Sequence, residues 1–191
     1  MRRALAAVIG LTLVVATSCT PYAMRGTVRD PATAMPALTL SATDGNAFTF
    51  EALRGKTTLV YFGFTSCPDL CPTTLVDLTQ VKKKLGRSAE KIAVVFITLD
   101  PERDTSAKIA RYLELFDRSF IGLTGTSEQL TAARSAFGVT ATRRELTNSA
   151  MGYTIDHSSF IYVVDGSGRW YEQFEHGMPV DDIVSDLRHL L

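Results

Sequence analysis

Two cysteines with the potential for chemistry, Cys67 and Cys71, lie between an apolar segment and a helical pattern. Residues 57–62 (TTLVYF) are β-branched and aromatic, which predicts a buried strand. From Leu75 to Gly86, apolar residues recur at helical spacing. Both cysteines are therefore predicted at a helix N-terminus, where free N–H groups and the helix dipole favour thiolate over thiol. Such thiols can exchange disulfides or bind a soft metal ion.

The composition of the chain limits the possible functions of the two cysteines. The chain has 191 residues, which is enough for one α/β domain with its own core, and its formal net charge is zero. The balanced charge gives no indication of a nucleic-acid partner. The third cysteine, Cys19, lies near the N-terminus, so no further cysteine is left to build a framework of structural disulfides. We therefore interpret Cys67 and Cys71 as functional.

The N-terminal residues predict export. Arg2 and Arg3 precede an apolar stretch over residues 4–15, and small residues at 16–18 lead to Cys19. This pattern predicts a signal peptide over 1–18 and a lipidated Cys19, which would anchor the protein outside the cytoplasm on the bacterial cell membrane. An uncleaved anchor is the alternative, but the apolar stretch is short for one. The proline-containing residues 19–36 are predicted to be a lipidated tether, and 37–191 the folded domain.

The remaining patterns predict the scaffold of the cysteine pair. Strands are expected over 92–98, 120–123, 160–164 and 170–174, helices over 127–137 and 180–191, and a helix after residue 106. Residues 139–153 have no clear period and are expected to form an exposed hairpin or a long loop. This order predicts an α/β, thioredoxin-like three-layer fold, with a mixed central sheet flanked by helices. The cysteines then lie at the first strand–helix turn, where open α/β sheets bind ligands.

Four segments resemble the signatures of one protein family. Residues 63–75 (GFTSCPDLCPTTL) and 98–105 (TLDPERDT) are similar to motifs of the Sco/SenC copper proteins, as are 120–125 and 153–159. The resemblance runs in the same order from about residue 38 to 190. It implies that Cys67, Cys71 and His157 bind copper, as Cu(I), Cu(II) or both. It also implies a metallochaperone, not an enzyme, that helps to assemble the copper A centre of cytochrome c oxidase. Its partners would be oxidase subunit II and a copper donor chaperone.

The residue types agree with this implication. Thiolate is the soft ligand that selects Cu(I), and imidazole suits both copper oxidation states. Asp69 and Asp156 could orient a ligand or tune the metal, although solvated loop carboxylates are an equal alternative. The segment from Asp100 to Asp104 is predicted to be a charged loop near the site. The other two histidines, at 176 and 189, are assigned no role in binding a metal.

An enzymatic alternative remains open. The pair could act as a thiol–disulfide oxidoreductase that keeps the copper-site cysteines of the oxidase reduced, or in a peroxidase-like redox protein. Against the thioredoxin type, three residues separate the cysteines where its CxxC motif has two, and His157-Ser158-Ser159 stands where such proteins keep a proline. The functions can coexist, because a disulfide between Cys67 and Cys71 would prevent copper loading. Copper buffering or sensing would use the same ligands.

The lipid anchor has a direct test. A Cys19→Ala variant lacks the thiol to which the lipid would be attached, so the protein is expected to leave the membrane fraction. The distribution of protein between membrane and soluble fractions measures this. Protein that stays bound to the membrane in the variant would show that the lipidation prediction is wrong.

Overall fold

The computed structural model describes residues 22–191, so the predicted signal peptide and Cys19 lie outside the described residues. Within that range no helix is long and apolar enough to cross a membrane. Short 3-10 helices cover Phe50–Leu53 and Gly86–Lys91. The strands and α-helices, in chain order, are β1 (Thr27–Ala34), β2 (Thr39–Ala42), β3 (Ala47–Thr49), β4 (Thr57–Gly63), α1 (Leu70–Leu85), β5 (Ile92–Thr98), α2 (Ser106–Glu114), β6 (Ile121–Thr124), α3 (Ser127–Ala136), β7 (Ala141–Glu145), β8 (Tyr153–His157), β9 (Ile161–Val164), β10 (Arg169–Phe174) and α4 (Val180–Leu190).

The central sheet is mixed, as the sequence predicts. Its strand order is β1-β10-β9-β4-β5-β6-β2-β3. Strands β4, β5 and β6 are parallel, whereas β9 joins β4 and β2 joins β6 in antiparallel fashion. Every residue of β4 and of β5 is buried. This burial explains why their sequences are continuous apolar runs instead of alternating patterns, because both faces of the strands are covered.

Helices cover both faces of the sheet and produce the three layers. Side chains of α1, α2 and α4 pack on one face against Leu59 and Tyr61 of β4. Side chains of α3 pack on the other face against Val60 and Phe62, the alternate residues of the same strand. Strand periodicity therefore divides one apolar run between two cores. The layered arrangement confirms the α/β three-layer fold.

Part of the predicted tether belongs to the sheet, which corrects the domain boundary at residue 37. Strand β1 (Thr27–Ala34) lies within the predicted tether of 19–36 and pairs with β10 at the edge of the sheet. Its pairing register shifts between Val28 and Thr33, on either side of Pro31. A proline cannot donate to a ladder of hydrogen bonds, but an edge strand with an irregular register accommodates it. Pro31, one of the prolines that indicate a tether, is therefore also compatible with an edge strand.

The residues before β1 are fixed to α4 by one buried carboxylate. Asp186 is fully buried and accepts hydrogen bonds from the backbone N–H groups of Arg25 and Gly26, at 2.7 and 2.8 Å. It also accepts a bond of 2.6 Å from the hydroxyl of Tyr22, whose ring stacks on His189 with 4.6 Å between ring centroids. These contacts hold residues 22–26 against the last helix.

A second buried carboxyl group, Glu172 of β10, lies beside Asp186. Glu172 is fully buried, and neither of its carboxyl oxygens has a hydrogen-bond partner among the described residues. Burial, and after it the contact with Asp186, raises the pKa of Glu172 to about 8. Because the N–H groups already satisfy Asp186, the proton of the pair resides on Glu172 at neutral pH.

This pair predicts a pH-dependent stability. In the unfolded chain Glu172 has a pKa near 4.5, so between pH 4.5 and 8 only the unfolded state loses the proton. The free energy of unfolding should fall across this window, by up to about 5 kcal/mol. Glu172→Gln, which stays neutral, should flatten the profile, and the exposed Glu175→Gln should leave it unchanged. Urea unfolding at pH 5, 7 and 9 measures the effect. Parallel profiles for the wild type and Glu172→Gln would contradict it.

Candidate functional site

The two cysteines lie where β4 ends and α1 begins. Cys67 is partly buried in the turn between them, and Cys71 is fully buried in the first turn of the helix. The backbone N–H of Cys71 donates a hydrogen bond of 3.4 Å to the sulfur of Cys67, and both cysteines are free thiols. The turn therefore folds the Cys67 sulfur back onto the helix start, as the predicted strand–helix junction requires.

Gly63, the last residue of β4, leaves the space that the Cys71 sulfur needs. A Cβ atom at this position would lie 3.0 Å from Cys71 Sγ and 3.0 Å from the ring of Phe96. Both neighbours are fully buried and would have to shift within the core to admit it. The glycine at the end of the strand is therefore required by close packing, and any side chain there would displace the inner sulfur.

The two thiols have opposite acidities, which corrects the expectation that both are acidic. The hydrogen bond from the Cys71 thiol is the largest influence on Cys67 and lowers its pKa to about 6, despite partial burial. The same contact, together with burial, raises the pKa of Cys71 far above its ordinary value. At neutral pH the site is thus a thiolate at Cys67 and a thiol at Cys71. The helix start alone cannot reveal this, because the asymmetry arises from one shared proton.

Tyr61 of β4 contributes a hydroxyl group that the sequence analysis does not identify. Its side chain is fully buried, and its oxygen forms no well-formed hydrogen bond within the described part of the chain. The hydroxyl lies near Cys71 and acts to lower the pKa of that thiol, against the larger effects that raise it. A tyrosine inside an apolar strand suggests only core packing. Tyr61 lies two positions after Leu59 in the strand, so both side chains face the same helices. This alternation is the signal that places Tyr61 beneath the cysteines.

His157 lies at the end of β8, in the same cleft as Cys67. Its ring packs against Tyr61 and Phe64, with centroid distances of 6.4 and 6.1 Å. The Nδ1 atom lies 2.8 Å from the carbonyl oxygen of Ser158. A carbonyl only accepts, so Nδ1 carries the proton and Nε2 keeps its lone pair. This tautomer is the one that a metal-binding histidine commonly adopts.

The described residues do not form a closed metal site. Within 22–191, no three His, Cys, Asp or Glu side chains are grouped closely enough to hold a metal ion together. The side chains of Cys67 and Cys71 are close enough to share a hydrogen bond, and His157 faces Cys67 across the cleft. Two of the three predicted ligands are thus adjacent, and the third faces them from a separate hairpin.

The two predicted accessory carboxylates also line this cleft. Asp69 precedes the first residue of α1, and its side chain makes no capping hydrogen bond. Asp156 is exposed and forms an ion pair of 2.8 Å with Arg144, which lowers its pKa. Asp69 is therefore available to a ligand in the cleft, whereas Asp156 already has a partner. Their roles as residues that tune a metal remain predictions.

A buried carboxylate after β5 fastens the cysteine turn to the sheet. Asp104 is 1% exposed and accepts hydrogen bonds from the backbone N–H of Thr65 at 3.0 Å and from the hydroxyl of Thr98 at 2.8 Å. The hydroxyl of Thr65 donates to it as well. The segment is the expected loop near the site, but its two aspartates, Asp100 and Asp104, are buried, whereas residues 101–102 are exposed. The sequence signal for this burial is the presence of acidic residues among Thr and Arg directly after a buried strand.

A neighbouring network holds the hairpin that carries His157. Asp100 is 2% exposed, pairs with Arg103 and accepts a 2.7 Å hydrogen bond from the hydroxyl of Tyr153 on β8. Arg103 also donates to the carbonyl oxygens of Met151 and Tyr153, both at 3.1 Å. The region expected to be a hairpin or loop is the two-stranded sheet β7–β8, and this network anchors its second strand four residues before His157.

Comparison with known proteins places this arrangement in context. The family model described as SCO1/SenC matches residues 27–191. An SCO2-like protein of Rickettsia felis is 40% identical over 131 residues, which cover 69% of this chain and 64% of that relative. The matched region thus spans less than two thirds of the relative's length.

Solved structures show the same fold. The copper-bound structure of Bradyrhizobium japonicum ScoI is similar with a TM-score of 0.75 at 34% identity, covering 83% of this chain and 100% of that one. BsSco, described as a cytochrome c oxidase assembly protein with a disulfide switch, is similar with a TM-score of 0.65 at 24% identity, covering 83% and 94%. The second likeness shows the fold alone. Together they confirm the thioredoxin-like architecture.

The shared proton predicts a specific pattern of thiol reactivity. Alkylation of Cys67 by iodoacetamide, followed against pH by mass spectrometry, should have a midpoint near pH 6. Cys71→Ala removes the donor and should move the midpoint up towards the ordinary thiol value near 9. Cys71→Ser keeps a donor of similar size and should retain most of the shift. Equal midpoints in the Ala and Ser variants would show that Cys71 does not stabilise the thiolate.

Proposed function

This chain belongs to the SCO1/SenC family, and from that premise we propose that it binds copper through Cys67, Cys71 and His157. The observation that carries the proposal is the hydrogen-bonded pair of cysteine side chains, with the imidazole of His157 facing Cys67 across one cleft. We further propose that it delivers copper during assembly of the copper A centre of cytochrome c oxidase. The copper-bound ScoI structure supports copper binding by similarity, and membership of the family supports the assembly role.

The donor atoms fit copper as a cargo. Thiolate sulfur favours Cu(I), and the free Nε2 of His157 suits either oxidation state. Binding through both sulfurs requires Cys71 to release its proton, so loading should be coupled to proton release. The unpartnered hydroxyl of Tyr61 lies beside Cys71 and could donate to the sulfur once it is a thiolate. His157 would complete the site by a small approach of its hairpin towards Cys67.

The burial of the sulfurs suits transfer. Cys71 is inaccessible from solvent, whereas Cys67 is partly exposed in a cleft with Pro68 and Leu70 on its rim. An incoming sulfur ligand of a partner would therefore reach the copper beside Cys67 and His157. We propose oxidase subunit II as the recipient and a separate copper chaperone as the donor. The protein would act outside the cytoplasm, attached to the membrane through lipidated Cys19, and without catalytic turnover.

A redox function is the second candidate, and one observation favours it. Cys67 is a thiolate in contact with a protonated Cys71, which is the arrangement of an attacking and a resolving thiol. Cys67 would attack a disulfide of the partner, and Cys71 would then displace the mixed disulfide, leaving a Cys67–Cys71 disulfide and two reduced partner thiols. A thiol reductant would regenerate the pair. Peroxide reduction would begin at the same Cys67 thiolate.

Copper binding can separate these functions. The reduced chain should bind one Cu(I) in an anaerobic titration against a chromophoric Cu(I) chelator, because the two cysteine side chains adjoin each other and His157 faces Cys67. His157→Ala should weaken binding by about tenfold or more. His176→Ala is the matched control, since His176 contacts Thr74 of α1 at 3.2 Å but does not face the sulfurs.

Each of the other possible outcomes of this titration has its own interpretation. Equal Cu(I) affinity in His157→Ala and the wild type would contradict the three-ligand site. Copper-free protein that repeatedly reduces disulfide or peroxide substrates would support the redox function instead. Loss of copper binding in His176→Ala would show that the titration reports the integrity of the fold and not the ligand set.

A further inference from the structure

The chain leaves the described domain at a defined place, on the surface of α4. Tyr22 donates hydrogen bonds to Ser185 and Asp186, at 2.8 and 2.6 Å, and stacks on His189. Because residues 22–26 are held by these contacts, the preceding residues start from a fixed point. Cys19 is three positions earlier in the sequence, and three residues span at most about 10 Å. A lipid on Cys19 would therefore hold this face of the domain close to a bilayer.

This face lies at the end of the domain opposite the cysteine site. Helix α1 begins beside the two cysteines and runs for 16 residues, which corresponds to about 24 Å. At its far end, the carbonyl oxygen of Lys84 accepts a 2.9 Å hydrogen bond from Arg188 of α4. The residues of α4 that contact Tyr22 are on either side of Arg188. The attachment point and the cysteine site are thus separated by roughly the length of α1.

The same end of the domain is rich in positive charge. We define its basal surface as the exposed cations at the ends of α1 and α4, at the start of β5 and beside the attachment point: Arg25, Lys83, Lys84, Arg87, Lys91 and Arg188. The acidic residues around it are Glu90, Asp181, Asp182 and the buried Asp186, of which Asp181 pairs with Lys84 at 2.6 Å. Six cations against four carboxylates leave a local excess of two positive charges, in a chain whose formal net charge is zero.

Helix dipoles do not account for the whole excess. The C-terminal end of each helix carries about half a negative charge, so α1 and α4 together attract about one cation. The remaining excess has no partner of opposite sign among the neighbouring side chains. It is the complement of a surface that carries many negative charges at fixed density, which is the character of a bilayer containing anionic phospholipids.

We propose that the basal surface lies against an anionic lipid bilayer and holds the cysteine site away from the membrane. This inference rests on the proposed lipid anchor at Cys19. Two excess cations near an anionic surface favour contact by roughly 30-fold. This is too little to recruit a free protein firmly, but it is enough for a tethered one, whose effective concentration at the membrane is high. The cysteine cleft would then face the extramembrane parts of membrane-bound partners.

Lysine labelling of the anchored full chain tests the orientation. The protein is reconstituted in vesicles of 30% phosphatidylglycerol in phosphatidylcholine, or of phosphatidylcholine alone, and treated with a membrane-impermeant acetylating reagent. Lys83 and Lys91 should be labelled about fivefold more slowly on the anionic vesicles, and 0.5 M NaCl should abolish the difference. Lys108 is the internal control, because its ammonium group lies 3.2 Å from Ser66 at the cysteine end. Its labelling should not change.

A charge reversal sharpens the test. Arg87→Glu should at least halve the protection of Lys83 and Lys91, because the exposed Arg87 belongs to the basal surface. Arg111→Glu makes the same charge change on α2, outside that surface, and should have no effect. Equal labelling on both kinds of vesicle, or protection unaffected by salt and by Arg87→Glu, would overturn the proposal.

The anchor is measured separately from the orientation. In 0.5 M NaCl, sedimentation of the wild-type chain with vesicles, and its loss in Cys19→Ala, reports the lipid anchor whatever the labelling shows. A chain that sediments but is labelled equally everywhere therefore retains its anchor and lacks the proposed orientation. Copper binding, tested with Cu(I) in the absence of vesicles, is unaffected by either result.

Discussion

The buried carboxylate of Asp104 is the contact on which the geometry of the site depends. It accepts hydrogen bonds from Thr65, in the turn that carries Cys67, and from Thr98, at the end of the neighbouring strand. A buried charge is stable only when hydrogen-bond donors surround it. The bonds that stabilise the carboxylate therefore also hold the turn in place. Asp100, four residues earlier, does the same for the strand that ends at His157. One short segment after β5 thereby positions both halves of the site.

The cysteine pair is asymmetric because its members share one proton in different surroundings. The partly exposed Cys67 is the thiolate, and the fully buried Cys71 is the thiol. This division suits both candidate functions, since a thiolate at the surface can begin metal capture or disulfide exchange. What favours copper is the third group, His157, whose Nε2 is left free by the bond of Nδ1 to a carbonyl. An imidazole facing the sulfurs adds a ligand, whereas thiol exchange needs only the cysteines.

The opposite end of the domain is organised around Asp186, which binds the residues that lead towards the predicted anchor. Glu172 beside it stays protonated at neutral pH because a second buried anion would be unstable there. Residues 22–26 are therefore part of the fold and not a free linker. This matters for function, since a fixed attachment point determines how the domain, and with it the cysteine cleft, faces its surroundings.

The sequence by itself determined the features that depend on local pattern. The buried runs of β4 and β5 and the helix after the cysteines follow from periodicity within a few neighbouring residues. Only the tertiary structure decided the rest. Residues 27–34, with Pro31 among them, are equally compatible with a tether, and pairing with β10 made them an edge strand. The burial of Asp104 and the division of acidity between the thiols depend on partners brought together by folding, because a pKa or a buried charge reflects neighbours in space and not in sequence.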